Sequence, residues 1–208
     1  MSATARPLGH KDEKTAAIIV AARKTFLSRG FDAASMDQIA LEASVSKRTV
    51  YNRFRSKEEL FAAAIEDSCE RFLPVEIEAI EETLPAADFL MEMSREFLKS
   101  LFDPEALSLR RLAAFEADRT PAIGKSYLEF GPRKLVAQCA PIVARLADRG
   151  DLDAADAEIA TWQLGALITE PLHTFMLLGD PPEDLDAAID KQAHDGVRAF
   201  LKLYGAPR

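Results

Sequence analysis

The 208-residue chain reads as an all-α protein, about nine or ten helices, with an N-terminal three-helix helix-turn-helix head of homeodomain-like type joined to a C-terminal helical bundle. Three observations predict this. Apolar residues recur three and four apart along most of the chain and give no convincing two-residue alternation of a strand. Helix-start signals, a Ser, Thr or Asp followed by Pro or by Glu/Gln three residues on, recur throughout. Between Ser35 and Lys57, in SMDQIALEASVSKRTVYNRFRSK, two short helical patterns with separate caps meet at a corner, and a third cap follows.

In chain order, residues 1–10 form a polar arm with Arg6 and His10, expected to be disordered without DNA. The first helix spans about Lys11 to Arg29, with Ile18, Ile19, Ala22 and Phe26 on one side and Gly30 as its C-terminal glycine. Ser35 with Gln38, and Ser56 with Glu59, form capping boxes, and Ser46 caps the helix between them. From Lys57 to about Glu82 runs a long amphipathic pattern through Leu60, Phe61, Ala64, Ile65, Phe72, Ile77 and Ile80, with a kink or break expected at Pro74. Ala87–Phe102 is the next helix. Asp103-Pro104 and Thr120-Pro121 are cap-and-first-residue pairs that open two more. Gly131-Pro132 is expected to split a short 123–130 segment from a helix ending near Gly150. Helices over 154–178 and 183–203 close the chain, separated by Gly179-Asp180-Pro181-Pro182. The domain boundary falls between residues 56 and 57.

On the 47–53 helix, Val50 and Phe54 make the inward side, while Arg48 and Asn52 point away from it with Thr49 and Tyr51 on the flanks. Arg pairs with guanine and Asn with adenine in the major groove, at about 1–3 kcal/mol of discrimination each. That helix also begins where the positive charges begin, at Lys47, Arg48 and Thr49. An ordinary solvated surface helix would carry the same residues, but the corner, caps and flanking helices favour a DNA reader.

Charge follows the same division. Residues 1–60 hold 11 Lys/Arg against 7 Asp/Glu (+4), and residues 61–208 hold 15 against 27 (−12), which together make the net −8. An acidic body discourages indiscriminate phosphate binding, and a mildly basic head is expected to need a second head for tight binding. Cys69 and Cys139 have no metal spacing and read as idle or buried thiols of a reducing compartment. No signal-peptide core and no uninterrupted apolar run of membrane length is present, so a soluble cytoplasmic protein is expected. His10, His173 and His194 lack a nucleophile nearby in sequence, and no enzymatic activity, cofactor or metal is expected.

The chain resembles the TetR family of transcriptional regulators, from AARKTFLSRGFDAASMDQIA through SVSKRTVYNRFRSKEELF. Its body, from LRRLAAFEADRTPAIGKSYLEFGP onward, resembles the AefR-like branch. The resemblance implies a homodimer that binds a palindromic operator and responds to a small-molecule effector, with repression as the default outcome. It places Ser35, Tyr51 and Lys57 at phosphate contacts, and Lys47, Arg48, Thr49 and Asn52 on the recognition helix, whose cap, Ser46, is a further DNA-binding candidate. Many relatives have glycine where this chain has Ser44, so a residue with a Cβ must take a left-handed or adjusted turn there, at about 1 kcal/mol.

For the seam between subunits, Gly165, Ala166 and Leu172 on one late helix and Ile189, Val197 and Phe200 on the last are the candidates, unless they pack within one subunit. For the effector, Phe89, Met93, Phe97, Phe115, Tyr127, Trp162, Glu170 and His173 are available, although aromatic and Met residues at helical spacing serve any core equally well. Pro171 would free the carbonyl of Leu167, which must find a partner. Glu170 and His173, three apart, could bond a ligand, each other, or an arginine of a neighbouring subunit. The alternative function is a DNA-binding dimer without a small ligand, regulated by a protein partner.

Overall fold

The computed structural model describes residues 12–72 and 84–206, and the side chains of 70–72 are not among those described. The arm with Arg6 and His10, and Pro74, Ile77 and Ile80 with the expected kink, lie outside the described residues. The helices are α1 (Glu13–Ala33), α2 (Met36–Glu42), α3 (Lys47–Arg53), α4 (Lys57–Phe72), α5 (Ala86–Leu101), α6 (Pro104–Glu116), α7 (Pro121–Leu128), α8 (Lys134–Asp148), α9 (Ala157–Thr169), α10 (Leu172–Leu178) and α11 (Leu185–Tyr204). Among the described residues there is no strand; Leu152 and Gly205 form an isolated antiparallel bridge.

Capping residues set most of these bounds. Asp12 accepts from the Thr15 amide at 2.9 Å, Asp103 from Glu105 and Ala106 at 2.8 and 3.1 Å, Asp156 from Ile159 at 2.9 Å and Asp184 from Ala187 at 3.0 Å. Each satisfies an amide that a helix start leaves unpaired. Gly30 (φ 80°) interrupts α1 where the sequence predicts its end, and Gly179 (φ 85°) closes α10. Two expectations need correction. Gly131-Pro132 does not split its helix: a π-helical turn, Glu129–Arg133, carries the chain from α7 into α8 with helical dihedrals on both sides. Widening the turn accommodates a proline that lacks an N–H and would crowd the preceding carbonyls. Conversely, the segment expected as one interrupted helix over 154–178 is two helices, because Glu170 is extended and Pro171 is the cap residue before α10.

The chain divides into two compact units, residues up to Ser68 with Leu112–Tyr127, and Cys69–Arg111 with Leu128 onward. The first takes in more than the expected head. Leu60, Phe61, Ala64 and Ile65 of α4 are fully buried, and the Phe61 ring lies 5.0 Å from Phe26 and 5.4 Å from Phe31. Burying each such phenyl contributes about 1.5–3 kcal/mol, so most of α4 belongs physically with the helices before it. Arg23 of α1, 7% exposed, meets Asp67 of α4 at 2.7 Å.

In the second unit, Phe89, Leu90, Ile142, Val143, Leu146, Ala160, Leu164, Ile168, Val197 and Phe200 make one apolar cluster, and Leu98, Phe102, Leu107, Leu172, Met176, Ile189 and Ala193 make another. Gly196 is buried where α11 crosses α9: a Cβ there would sit 2.6 Å from the Leu167 oxygen and 2.7 Å from the Ile168 Cα. Nothing lies within 4 Å of a Cβ built at Gly165.

Leu172, Ile189, Val197 and Phe200, expected at a subunit seam, are instead interior to one protomer, at 6, 2, 1 and 0% exposure. The helical wheel could not tell which apolar side of α9 to α11 faces inward. Gly165 is half-buried and Ala166 exposed. The outward apolar residues of these helices are Ile159, Trp162, Phe175, Leu178 and Leu203.

Candidate nucleic-acid interface

The corner between α2 and α3 is built from backbone bonds and one unusual dihedral. Ser44 has φ 54°, the left-handed conformation that the sequence requires of it. Its amide donates to Leu41 O and that of Val45 to Ala40 O, both at 3.0 Å. This pair of bonds is a Schellman closure, and it returns Val45 toward the helix it has just left. Ser46 then caps α3, accepting from the Thr49 amide at 3.1 Å while its hydroxyl meets that of Thr49 at 2.8 Å.

The reciprocal halves of the two expected capping boxes go elsewhere. Ser35 and Ser56 accept from the amides of Gln38 (3.2 Å) and Glu59 (3.1 Å) as predicted. The Glu59 carboxylate takes the amide of Arg55 at 2.7 Å, one residue before the cap. With its amide oxygen turned toward Arg29, Gln38 accepts from Nη2 and Nε at 2.8 and 3.1 Å.

With its corner fixed, α3 presents two faces. Val50 is fully buried and Phe54 is 7% exposed. Arg48, Tyr51 and Asn52 are exposed, and Thr49 is half-buried. The charges around this face are distributed unevenly. Arg53 donates from Nε to Thr15 Oγ1 at 2.8 Å and from Nη2 to Asp12 at 2.7 Å, tying the end of α3 to the start of α1. The Thr15 amide, and then Arg53, hold the Asp12 carboxyl below its ordinary range.

Lys47 pairs with Asp37 of α2, which holds its ammonium above the ordinary lysine range. Lys57 donates to the carbonyls of Phe31 (2.7 Å), Asp32 (3.1 Å) and Ala34 (3.2 Å), with Nζ 4.4 Å from the centre of the Phe31 ring. Its three N–H groups are therefore directed at the α1–α2 connection. Arg48 and Asn52 make no side-chain hydrogen bond or ion pair among the described residues. On α3, the guanidinium best able to meet a base edge is the one the fold leaves unused.

In the body, the structure pairs Glu170 with His173 and gathers Phe89, Met93 and Phe97 in one apolar cluster. His173 Nδ1 lies 2.9 Å from Glu170 Oε1, and its Nε2 faces Arg110 of α6 in the same chain. Thr174 donates to Glu170 at 2.7 Å; this bond, with that from His173, holds the carboxyl below its ordinary range. The Leu167 carbonyl finds the partner it needs in Gln192, whose Nε2 also bonds the Glu170 carbonyl. Neither Arg110 nor Gln192 was signalled by the sequence, because both contacts bridge helices with no local pattern to reveal them.

Phe89 is buried in the core, and Met93 and Phe97 are half-buried against it. Phe115 is 64% exposed, with Arg119 over its ring, and falls in the first unit with the half-buried Tyr127. Trp162 instead borders a groove of about 620 Å³ along α8 with Val136, Ala137, Ala140 and Pro141. No group of three or more His, Cys, Asp or Glu among the described residues is placed to hold a metal ion. No described helix is long and apolar enough to cross a membrane.

An exposed, capped α3 behind a tight corner, on a buried three-helix support, defines a DNA-binding helix-turn-helix protein with a helical body. Residues 18–64 match the family described as bacterial regulatory proteins, tetR family, and residues 88–206 match the AefR-like transcriptional repressor C-terminal domain. The chain belongs to the TetR family of transcriptional regulators.

Among solved structures it is similar to a TetR-family regulator from Mesorhizobium loti, with TM-score 0.84 and 30% identity over 93% of this chain and 97% of that one. It is also similar to the flavonoid-responsive regulator FrrA, with TM-score 0.79 and 31% identity over 94% and 98%. Among curated proteins, the transcriptional activator FasR of Mycolicibacterium smegmatis is 43% identical over 56 residues, 27% of this chain and 26% of that protein. The regulator YhgD of Bacillus subtilis is 38% identical over 68 residues, 33% of this chain and 36% of that protein. The chain thus matches about a quarter to a third of these curated relatives' length.

Proposed function

We propose that the protein is a cytoplasmic homodimeric repressor that reads a palindromic operator with α3 and is released by a small-molecule effector. The observation that carries this reading is the outward pair Arg48 and Asn52, unpartnered among the described residues, on a helix whose other cations are tied to the protein. Arg48 and Asn52 read bases, Thr49 and Tyr51 flank them, and Ser35 and Ser46 approach the phosphates at the helix starts that they cap.

The seam is assigned to the outward apolar residues Ile159, Trp162, Phe175 and Leu178 with Ala166 and Gly165. These large apolar side chains are 43 to 78% exposed in one protomer, and a second copy would remove them from water. An effector of apolar, planar type is supported by the likeness over nearly the whole chain to a regulator named for its response to flavonoids. Its seat is placed at Phe97, which packs against both apolar clusters of the body, so a ligand there parts them. The Glu170–His173 pair is given a structural role, because its polar atoms are already used. Both α4 and α6 contribute residues to each compact unit, so a ligand that favours one state of the body acts on helices the head also uses.

Selection of bound sequences from random duplex DNA is expected to return a palindrome with half-sites about one helical turn apart. A flavonoid that releases this duplex is expected to bind the protein more weakly, by the same factor, when the duplex is present. Absence of any sequence preference would overturn the reading; equal affinity with and without duplex would overturn its ligand-responsive part.

A further inference from the structure

Asp37 stands in the first turn of α2, and its carboxylate meets the ammonium of Lys47, the first residue of α3. Both side chains are largely exposed, 49% and 66%, so the pair contributes little to folding. Its position is more telling than its strength. A cation at a helix N-terminus opposes the helix dipole, and a carboxylate in a first turn agrees with it. Lys47 therefore gains from a nearby anion, and on DNA the competing anion is a phosphate. Every duplex offers phosphates, so a lysine released to them would strengthen binding without regard to sequence.

We infer that Asp37 is a specificity-determining residue that retains Lys47 on the protein and leaves discrimination to Arg48 and Asn52. This rests on the reading of α3 as the recognition helix. In a non-specific complex the head is held by phosphates alone and can shift until Lys47 reaches one. In the specific complex the base contacts of α3 fix the head, and Lys47 stays with Asp37. The carboxylate thus weakens random binding more than operator binding, which is specificity by a repulsive element rather than by an added contact.

The test compares the full-length wild type with Asp37→Asn, Lys47→Ala and the double variant, on the duplex recovered by selection and on random duplex, across a salt series. Asp37→Asn is expected to lower the ratio of operator to random affinity by about fivefold or more, and to steepen the salt dependence on random duplex by about 0.9 for each head. Adding Lys47→Ala is expected to return both quantities to within about twofold of wild type, and Asp37→Glu, which keeps the charge, to retain the wild-type ratio. A ratio left unchanged or raised by Asp37→Asn overturns the inference, as does a fall that Lys47→Ala fails to reverse. Thermal melting of each variant separates these outcomes from loss of fold. If the wild type itself shows no preference, it is the recognition-helix reading that fails.

Discussion

The outward faces of α3 and α9 are both exposed, yet they differ in kind. On α3 the face opposite Val50 carries Arg48 and Asn52, while on α9 the outward residues include Ile159, Trp162 and Ala166. A helix with one apolar side has a single way to sit on its support, so polarity alone orients α3. A helix apolar on two sides does not. On α9 the core is made by Ala160, Leu164 and Ile168, and Ile159, Trp162 and Ala166 are left outside beside Glu158 and Gln163. The lesson is that an outward polar face fixes how a helix sits on its support, whereas a second apolar face leaves that choice open.

The largest expected effects lie on α11, where this contrast recurs three residues apart. Phe200→Ala, at a fully buried ring, is expected to cost about 3–5 kcal/mol in urea unfolding. Leu203→Ala, 66% exposed, is expected to stay within about 0.5 kcal/mol. Similar losses for the two would mean that the inner and outer faces are misassigned.

Gly196→Ala comes next, at about 1–3 kcal/mol, since its Cβ would press on the backbone of α9. Gly165→Ala, with open space around it, is expected to stabilise one protomer by up to about 1 kcal/mol through helix propensity. The same variant sharpens the seam assignment if sedimentation shows weaker dimerisation despite the firmer helix.

Smaller effects belong to the α2–α3 corner. Ser46→Ala is expected to lose about 1 kcal/mol with the cap, and Ser44→Gly to gain roughly as much by relieving a left-handed residue of its Cβ. A loss from Ser44→Gly in thermal melting would contradict the geometry of the turn.

The smallest expected effect is acid-dependent. The Thr15 amide and Arg53 depress the Asp12 carboxyl from its ordinary 3.8, so its contribution is present above that value and is lost as the pH falls through the depressed one. Asp12→Asn is expected to flatten stability in that acid window and leave its slope near neutrality unaltered. An Asp12→Asn profile parallel to wild type below pH 4 would break the link between α1 and the end of α3.

The corner, its caps and the α3 faces were legible because local rules set them: a serine before a helix, four-residue periodicity, and a residue forced to positive φ. Gly30, Asp103 and Gly179 were legible for the same reason. The bonds of the Lys57 ammonium were not legible, because the carbonyls that hold it come from residues 23 to 26 positions earlier. The seam residues failed because Leu172, Ile189, Val197 and Phe200 differ from Phe175 and Leu178 only in the direction they face. The compact unit overran its expected limit because Phe61 completes a ring cluster begun by Phe26 and Phe31. Each of these depends on contacts distant in sequence, which periodicity does not encode.

The most direct test of the central claim, that α3 reads DNA through Arg48, is parallel selection of duplexes from random DNA by wild type and Arg48→Ala. Wild type is expected to recover a palindrome, and the variant to lose preference by about tenfold or more at one base pair in each half-site while keeping the others. A preference unchanged by Arg48→Ala at every position would contradict it.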